Sequence, residues 1–232
     1  MDGTLYVLVE YEVGMRRCGA ETPEEFLALA KLIQRQEHLI FEGIQAYAGH
    51  LAHETDLGRR QREMDEIESA VRKLKEYVMV NGLPVREICG GSTGTVQCKP
   101  KDTVYTQLQT GSYLFMDCAY GALGLPFQNA LFLLTTVVSV KPDRIITDGG
   151  VKSLGMDQGN PRFVGFSPDA ELSMSEEHGA IFTNGAEWNI GDKIRYIPGH
   201  CCTTMNLADR LYVAEGDTVV DVWPVVSRGR AQ

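Results

Sequence analysis

The first half of the chain alternates between two patterns of apolar positions. Apolar runs rich in β-branched residues predict strands at residues 5–13, 41–47 and 85–89. Between these runs, apolar residues recur at helical spacing and predict a helix that begins after Thr22 and a longer amphipathic helix over residues 59–80. This alternation is typical of parallel α/β architecture, in which active-site residues follow the carboxyl ends of the strands.

The second half of the chain has a different pattern. From residue 130 onward, short apolar runs separated by turn residues predict strands and no long helix. The predicted strands cover residues 131–140, 144–147, 180–183, 193–197, 211–213 and 219–223. Residues 120–126 break both patterns, so we predict an α/β domain over residues 1–122 and an all-β domain over residues 123–232.

The formal charge of −9 on 232 residues argues against nucleic acid or an anionic membrane as a partner, because like charges repel. No segment approaches the roughly 20 apolar residues that are needed to cross a bilayer. The chain begins without the basic and apolar stretches of a secretory signal, and its six cysteines have no framework spacing. We therefore expect a cytoplasmic protein with reduced or metal-bound thiols.

A glycine-rich loop, GGSTGT at residues 90–95, follows the third predicted strand. Glycines allow backbone N–H groups to approach an anion closely, and hydroxyls add donors without bulk. The loop suits a phosphate group, although it matches neither the P-loop nor the dinucleotide-binding pattern. The alternative interpretation is a tight turn from strand to helix without a ligand.

The pair His200 and Cys202 is a candidate metal site. Residues two apart in an extended chain point to the same side, so these side chains can reach one ion. Imidazole together with thiolate favours zinc. Two protein ligands would leave an open site that water or substrate completes. The alternative is an ordinary pair of polar and buried residues without a metal.

Further polar residues stand at strand ends or in turns. Arg17 follows a glycine turn after the first strand, which favours contact with an anionic group or an aromatic nitrogen. His50 and His53 follow the second strand, and His178 follows two glutamates, so each could line a site or exchange protons. The alternative for all four residues is a solvated or turn-ordering role.

The joint order of these and other motifs points to one family. The motifs are VGMRRCG at residues 13–19, QAYAGH at 45–50, GGSTGT at 90–95, GSYLFMD at 111–117, DGGVK at 148–152, SEEHG at 175–179, IPGHCC at 197–202, DVWP at 221–224 and RGR at 228–230. This series closely resembles the family of D-threonine aldolases, 3-hydroxy-D-aspartate aldolases and eukaryotic-type D-serine dehydratases. The resemblance extends over residues 5–230.

The resemblance implies a pyridoxal-phosphate enzyme of the alanine racemase fold type, with a partial β/α barrel followed by a C-terminal β-domain. The implied cofactor-binding residues are Arg17, Gln45, Tyr47, Gly91, Ser92, Thr93, Gly94, Thr95 and Tyr113. The glycine-rich loop would hold the phosphate, while Arg17 and Tyr47 would face the pyridine ring as catalytic residues. His200 and Cys202 would bind a divalent ion that holds the substrate β-hydroxyl.

The implied reaction is the cleavage of β-hydroxy-D-amino acids, such as D-threonine, to glycine and an aldehyde. D-serine dehydratase activity is the alternative, because the dehydratases of this family carry a cysteine with zinc where the aldolases carry an aspartate with manganese or magnesium. Cys202 therefore favours zinc, while the remaining motifs favour the aldolase. The resemblance also implies a homodimer for the complete enzyme and a small D-amino acid as its substrate.

The family's Schiff-base lysine lies near the N-terminus, on the first strand of its barrel. None of the lysines of this chain stands in that motif; they are Lys31, Lys73, Lys75, Lys99, Lys101, Lys141, Lys152 and Lys193. The pattern also contains only about three β/α units, whereas a closed barrel has eight. We therefore expect a fragment or split gene product that is inactive alone, with a non-catalytic binding module as the alternative.

Overall fold

A computed structural model describes residues 3–98, 102–167, 170–183 and 187–230 of the chain. The chain divides into two compact units, Met1–Gly111 and Ser112–Gln232. The predicted domain boundary after residue 122 thus falls inside the second unit. Residues around Asp117 belong to this unit because the backbone N–H of Cys118 donates to the carbonyl of Pro198 at 3.0 Å.

The first unit contains a parallel sheet of four strands in sequence order. The strands are β1 (Leu5–Glu10), β2 (Leu39–Tyr47), β3 (Glu87–Gly91) and β4 (Gln107–Leu108). The predicted parallel α/β architecture is confirmed. β1 ends before the predicted residue 13, because the side chain of Glu12 accepts hydrogen bonds from the backbone N–H groups of Gly14 and Arg17 and turns the chain away.

Two helices connect the first three strands, α1 (Pro23–Gln34) and α2 (Leu57–Val80). α1 begins where Thr22 Oγ1 accepts a hydrogen bond from the backbone N–H of Glu25 at 3.2 Å, which satisfies a donor that the helix leaves unpaired. Both helices bury their apolar faces against the sheet in one core. The buried side chains of α2 include the predicted positions Met64, Ile67, Val71, Leu74 and Val78.

The second unit contains an antiparallel sheet of six strands and a separate hairpin. In chain order its strands are β5 (Leu133–Val140), β6 (Arg144–Thr147), β7 (Arg162–Phe163), β8 (Leu172–Met174), β9 (Gly179–Phe182), β10 (Lys193–Ile197), β11 (Arg210–Glu215) and β12 (Thr218–Pro224). The order in the large sheet is β7-β10-β5-β6-β9-β8. All six predicted strands are present, and β7 and β8 are additional.

Two short helices complete the second unit, α3 (Cys118–Gly121) and α4 (Cys201–Met205). The prediction of an extended chain through residues 200–202 was wrong, because Cys201 and Cys202 lie in the helix α4. The cause is Asp117, whose carboxylate accepts the backbone N–H of Cys201 at 2.8 Å and so supplies the acceptor at the helix start. In the described part of the chain, no helix is both long and apolar enough to cross a membrane.

Candidate active site

The parallel register of the first unit gathers polar residues at the carboxyl edge of the sheet. Gln45 stands opposite Glu10 of β1, and Tyr47 stands opposite Gly91 of β3. The guanidinium carbon of Arg17 lies 5.9 Å from the centre of the Tyr47 ring, within the range of a cation–π contact. The structure therefore brings Arg17, Tyr47 and the start of the glycine-rich loop to one edge, as the motifs predict.

The glycine-rich loop is held in shape by its own side chains. Thr95 Oγ1 accepts the backbone N–H of Ser92 at 2.8 Å and lies 3.1 Å from the carbonyl of the same residue. Ser92, Thr93 and Thr95 are all buried. Because the Thr95 hydroxyl forms hydrogen bonds with the backbone of Ser92, it stabilises the turn of the loop.

Two glycines of this loop meet conformational or steric demands. Gly91 has a φ of +67°, a left-handed conformation that other residues adopt at a cost. At Gly94, an added Cβ atom would overlap the carbonyl oxygen of Ala52. The loop is thus a strand-to-helix turn, continued by a 3₁₀ helix at Thr93–Cys98, that also has the composition of a phosphate cradle.

A cavity of about 550 Å³ lies beside the carboxyl end of β1, and His50 is one of the residues that line it. An added Cβ atom at Gly14 would overlap the His50 ring, so the turn after β1 packs directly over the imidazole. Burial lowers the pKa of His50, although Glu63 opposes this effect, with its carboxylate 3.9 Å from His50 Nε2. His53 lies just beyond the 3₁₀ helix Gly49–Leu51.

In the second unit, His200 and Cys202 stand at the start of α4. His200 is extended, with φ −138° and ψ 124°, while Cys202 lies in the first helical turn. The two side chains nevertheless interact. Hydrogen bonding from Cys201 and Ser112 and the charge of His200 lower the pKa of Cys202, against the effect of burial. The thiolate form is therefore favoured at Cys202, and Cys201 keeps its proton because its pKa is raised.

Asp157 is a site residue that the sequence did not reveal. Its Oδ2 atom lies 2.6 Å from His200 Nδ1, and its Oδ1 atom accepts a hydrogen bond from Thr203 Oγ1 at 2.6 Å. Burial alone would raise the pKa of Asp157, but the bonds from Thr203 and His200 lower it. Burial would lower the pKa of His200, but the carboxylate raises it. Only the glycines at residues 155 and 159 mark this loop in the sequence.

The described residues contain no group of three or more His, Cys, Asp or Glu side chains arranged to hold a metal ion. In the described part of the chain, His200 and Cys202 would therefore supply two protein ligands, fewer than the four of a closed structural site.

The two remaining candidates, Tyr113 and His178, also belong to the second unit. Tyr113 stands on the 3₁₀ helix Ser112–Leu114, with its ring centre 5.4 Å from that of Phe127. His178 lies in the turn between β8 and β9, where its carbonyl oxygen accepts the backbone N–H of Ser175 at 2.8 Å. The backbone contact of His178 fits the turn-ordering interpretation.

The described lysines do not follow the carboxyl ends of the parallel strands. Lys31 lies on α1, and Lys73 and Lys75 lie on α2. In the second unit, Lys152 Nζ pairs with Glu177 at 2.7 Å, Lys193 belongs to β10, and Lys141 follows β5. Lys99 and Lys101 lie outside the described residues. Among the described residues of the first unit, no lysine therefore follows the carboxyl end of a parallel strand.

Comparison with known proteins agrees with this geometry. Residues 1–119 match the family model of the alanine racemase N-terminal domain, and residues 130–214 match that of a putative serine dehydratase domain. The chain is 33% identical over 97% of its length to 3-hydroxy-D-aspartate aldolase of Paracoccus denitrificans. It is 36% identical over 96% of its length to D-threonine aldolase of an Arthrobacter species.

The chain spans 61% of the length of both curated relatives. Among solved structures, D-threonine aldolase from Filomicrobium marinum superimposes with a TM-score of 0.93 at 29% identity, over 99% of this chain and 65% of that one. The expected family and fold are therefore confirmed. The chain belongs to the family of D-threonine aldolases, 3-hydroxy-D-aspartate aldolases and D-serine dehydratases, with the alanine racemase fold.

Proposed function

We propose that this chain carries the phosphate loop and the metal site of a pyridoxal-phosphate- and metal-dependent lyase. Its reaction is the cleavage of β-hydroxy-D-amino acids such as D-threonine to glycine and an aldehyde. The observation that carries the proposal is the pairing of His200 with Cys202 at the start of α4, beside Asp157. The 36% identity to a D-threonine aldolase supports the choice of reaction.

The residues at the strand edge of the first unit fit the phosphate and ring of the cofactor. The glycine-rich loop has the glycines and hydroxyls of a phosphate cradle, and the hydroxyl of Thr93 would contact the phosphate, while Ser92 Oγ donates to Thr95 Oγ1 at 3.3 Å. Arg17 and Tyr47 supply a cation and a phenol at the same edge. When bound, pyridoxal phosphate supplies an electron sink for bond breaking at Cα. The described lysines of the first unit lie on α1 and α2 and not at the strand ends, so no residue of this unit is assigned to the cofactor aldehyde.

The residues at α4 fit a divalent ion. His200 contributes an imidazole and Cys202 a thiolate, and this soft pair favours zinc over manganese or magnesium. Two protein ligands leave coordination positions open for the β-hydroxyl of the substrate. A metal in such a site acts as a Lewis acid on the oxygen that it binds. His200 and Cys202 would thus hold the β-oxygen of the substrate through the ion.

D-serine dehydratase activity is the second candidate function, and Cys202 favours it because the resemblance implies a cysteine at this position in the dehydratases and an aspartate in the aldolases. The two reactions differ in their products: the aldolase forms glycine and an aldehyde, and the dehydratase forms pyruvate and ammonia. A non-catalytic binding module would bind metal and form none of these.

The metal site is tested by the zinc content of the purified chain. We expect zinc to bind to the wild-type chain and to be lost in Cys202→Ala, as measured by elemental analysis after dialysis. The control is Cys18→Ala, which removes an exposed thiol from the other unit. An unchanged zinc content in Cys202→Ala would contradict the proposed ligand.

The reaction is tested by incubation with D-threonine and D-serine in the presence of pyridoxal phosphate and zinc or manganese. We expect no turnover by the chain alone, and glycine with acetaldehyde when the lysine-bearing segment of a D-threonine aldolase is supplied as a separate polypeptide. Pyruvate from D-serine would favour the dehydratase instead. Borohydride trapping of the cofactor on one lysine of this chain would contradict the expectation that its lysines do not bind the aldehyde.

A further inference from the structure

The loop of residues 155–159, called here the 155–159 loop, packs directly on the segment that carries His200. The backbone N–H of Gly155 donates to Thr204 Oγ1 at 2.9 Å, and its carbonyl accepts the backbone N–H of His200 at 3.3 Å. An added Cβ atom at Gly155 would overlap Thr203 Oγ1. The two backbones therefore approach more closely than any residue with a side chain would allow at this position.

The same close packing occurs on the other side of Asp157. An added Cβ atom at Gly199 would overlap the carbonyl oxygen of Gly159. Between these two contacts, Asp157 directs one carboxylate oxygen to His200 Nδ1 and the other to Thr203 Oγ1, each at 2.6 Å. The carboxylate is thus held by the packing of its loop as well as by its hydrogen bonds.

The bond to Asp157 decides which ring nitrogen of His200 would bind an ion. An ionised carboxylate can only accept hydrogen bonds, so Nδ1 carries the hydrogen in this contact. Nε2 is then the ring nitrogen whose lone pair can bind an ion. In metalloproteins, a carboxylate at the second ring nitrogen fixes the orientation of the ligand and raises its basicity.

We propose that Asp157 is a positioning residue of the metal site, which orients His200 so that its Nε2 atom binds a divalent ion together with Cys202. This inference rests on the proposed function, because it assumes that His200 and Cys202 bind the ion. Asp157 is assigned the positioning role because each of its oxygens accepts a hydrogen bond, one from His200 and one from Thr203.

The experiment measures zinc affinity of the full 232-residue chain by competition with a chromogenic chelator. We expect Asp157→Ala to weaken zinc binding by about 10–100-fold, the usual effect of losing such a partner. Asp157→Asn keeps an acceptor for the Nδ1 hydrogen but not the charge, so its affinity should lie between those of the wild type and Asp157→Ala. Asp157→Asn also keeps the test valid if the alanine variant does not fold.

Two further variants separate positioning from a structural or a purely electrostatic role. Thr203→Val removes one hydrogen bond of Asp157 but leaves its bond to His200, so it should weaken zinc binding less than Asp157→Ala. Asp143→Ala removes the same charge from a carboxylate that pairs with Arg144, and its zinc affinity should equal that of the wild type. Equal losses in Thr203→Val and Asp157→Ala, or a loss in Asp143→Ala, would overturn the proposal.

The outcomes distinguish this inference from the proposed function. If the wild type binds zinc and Cys202→Ala does not, the proposed metal site at Cys202 is supported. Asp157→Ala binding zinc within twofold of the wild type would then overturn the positioning role alone. A wild-type chain that binds neither zinc nor manganese would overturn both the metal site and the role of Asp157.

Discussion

Replacing Gly155 by alanine tests whether the 155–159 loop needs its close contact with α4. The added methyl group would overlap Thr203 Oγ1 and would lie 2.8 Å from Thr203 Cβ and 2.9 Å from the backbone nitrogen of Thr204. The loop can retreat only by lengthening its hydrogen bonds to Thr204 Oγ1 and to the backbone of His200. The substitution must therefore either overpack the contact or break these bonds.

Overpacking and the loss of hydrogen bonds would each destabilise the folded chain by a similar amount. Overpacking of a well-packed site costs about 1–3 kcal/mol. Loss of two hydrogen bonds costs about 1 kcal/mol for each bond. We therefore expect Gly155→Ala to lower the free energy of unfolding by about 1–3 kcal/mol. Zinc affinity should fall as well, because the displaced loop carries Asp157 away from His200.

The assay is urea unfolding followed by circular dichroism, with zinc affinity measured on the folded variant. Gly121→Ala is the matched control: Gly121 belongs to α3, and an added Cβ atom would meet nothing within 4 Å. That control should have a stability within about 0.5 kcal/mol of the wild type, because Gly121 is the last residue of a four-residue helix and the added methyl group meets no atom. A Gly155→Ala chain whose stability lies within about 0.5 kcal/mol of the wild type, the range of neutral surface substitutions, would refute the steric argument.

Three further predictions concern the core, a helix start and the metal. Phe26→Ala should destabilise the chain by about 3–5 kcal/mol in urea unfolding, because its ring is fully buried between aromatic neighbours, whereas the partly exposed Leu29→Ala should cost far less. Thr22→Ala should lower the free energy of unfolding by about 1 kcal/mol, whereas Thr22→Ser should leave it almost unchanged, because serine also caps the start of α1. Equal losses of stability in the two variants would contradict the capping role of Thr22. Cys202→Asp should shift metal preference from zinc toward manganese, measured by elemental analysis after loading with both ions; retained zinc preference would contradict the ligand assignment.

Strands with strong apolar patterns and clear turns were predictable from the sequence. β6 and β10 begin and end at the predicted residues, and β2, β3, β5 and β9 differ from prediction by a few residues at one or both ends. The end of β1 was predicted too late because apolar residues continue after Glu10, while hydrogen bonds from the backbone to Glu12 turn the chain. Local hydrophobicity does not report such a turn.

The apolar pattern could not predict the shortest elements, which are the two-residue strands β4 and β7, the three-residue strand β8 and the five-residue helix α4. The strands contain too few positions to show an alternating pattern, and α4 is little longer than one helical turn, too short for a repeated apolar face. α4 depends on Asp117, which lies far away in the sequence and accepts a hydrogen bond from Cys201. Only the folded chain brings that acceptor to the start of the helix.

The sequence by itself determined the family, the fold class and the residue types of the candidate sites, because these depend on local composition and on the order of motifs. It identified Arg17 and Tyr47, and the parallel register of β1, β2 and β3 carried them to one edge of the sheet. Tertiary structure alone decided that Asp157 meets His200, because the contact depends on the close approach of two backbones at Gly155. A hydrogen bond between residues so far apart in the chain leaves no periodic signal in the sequence.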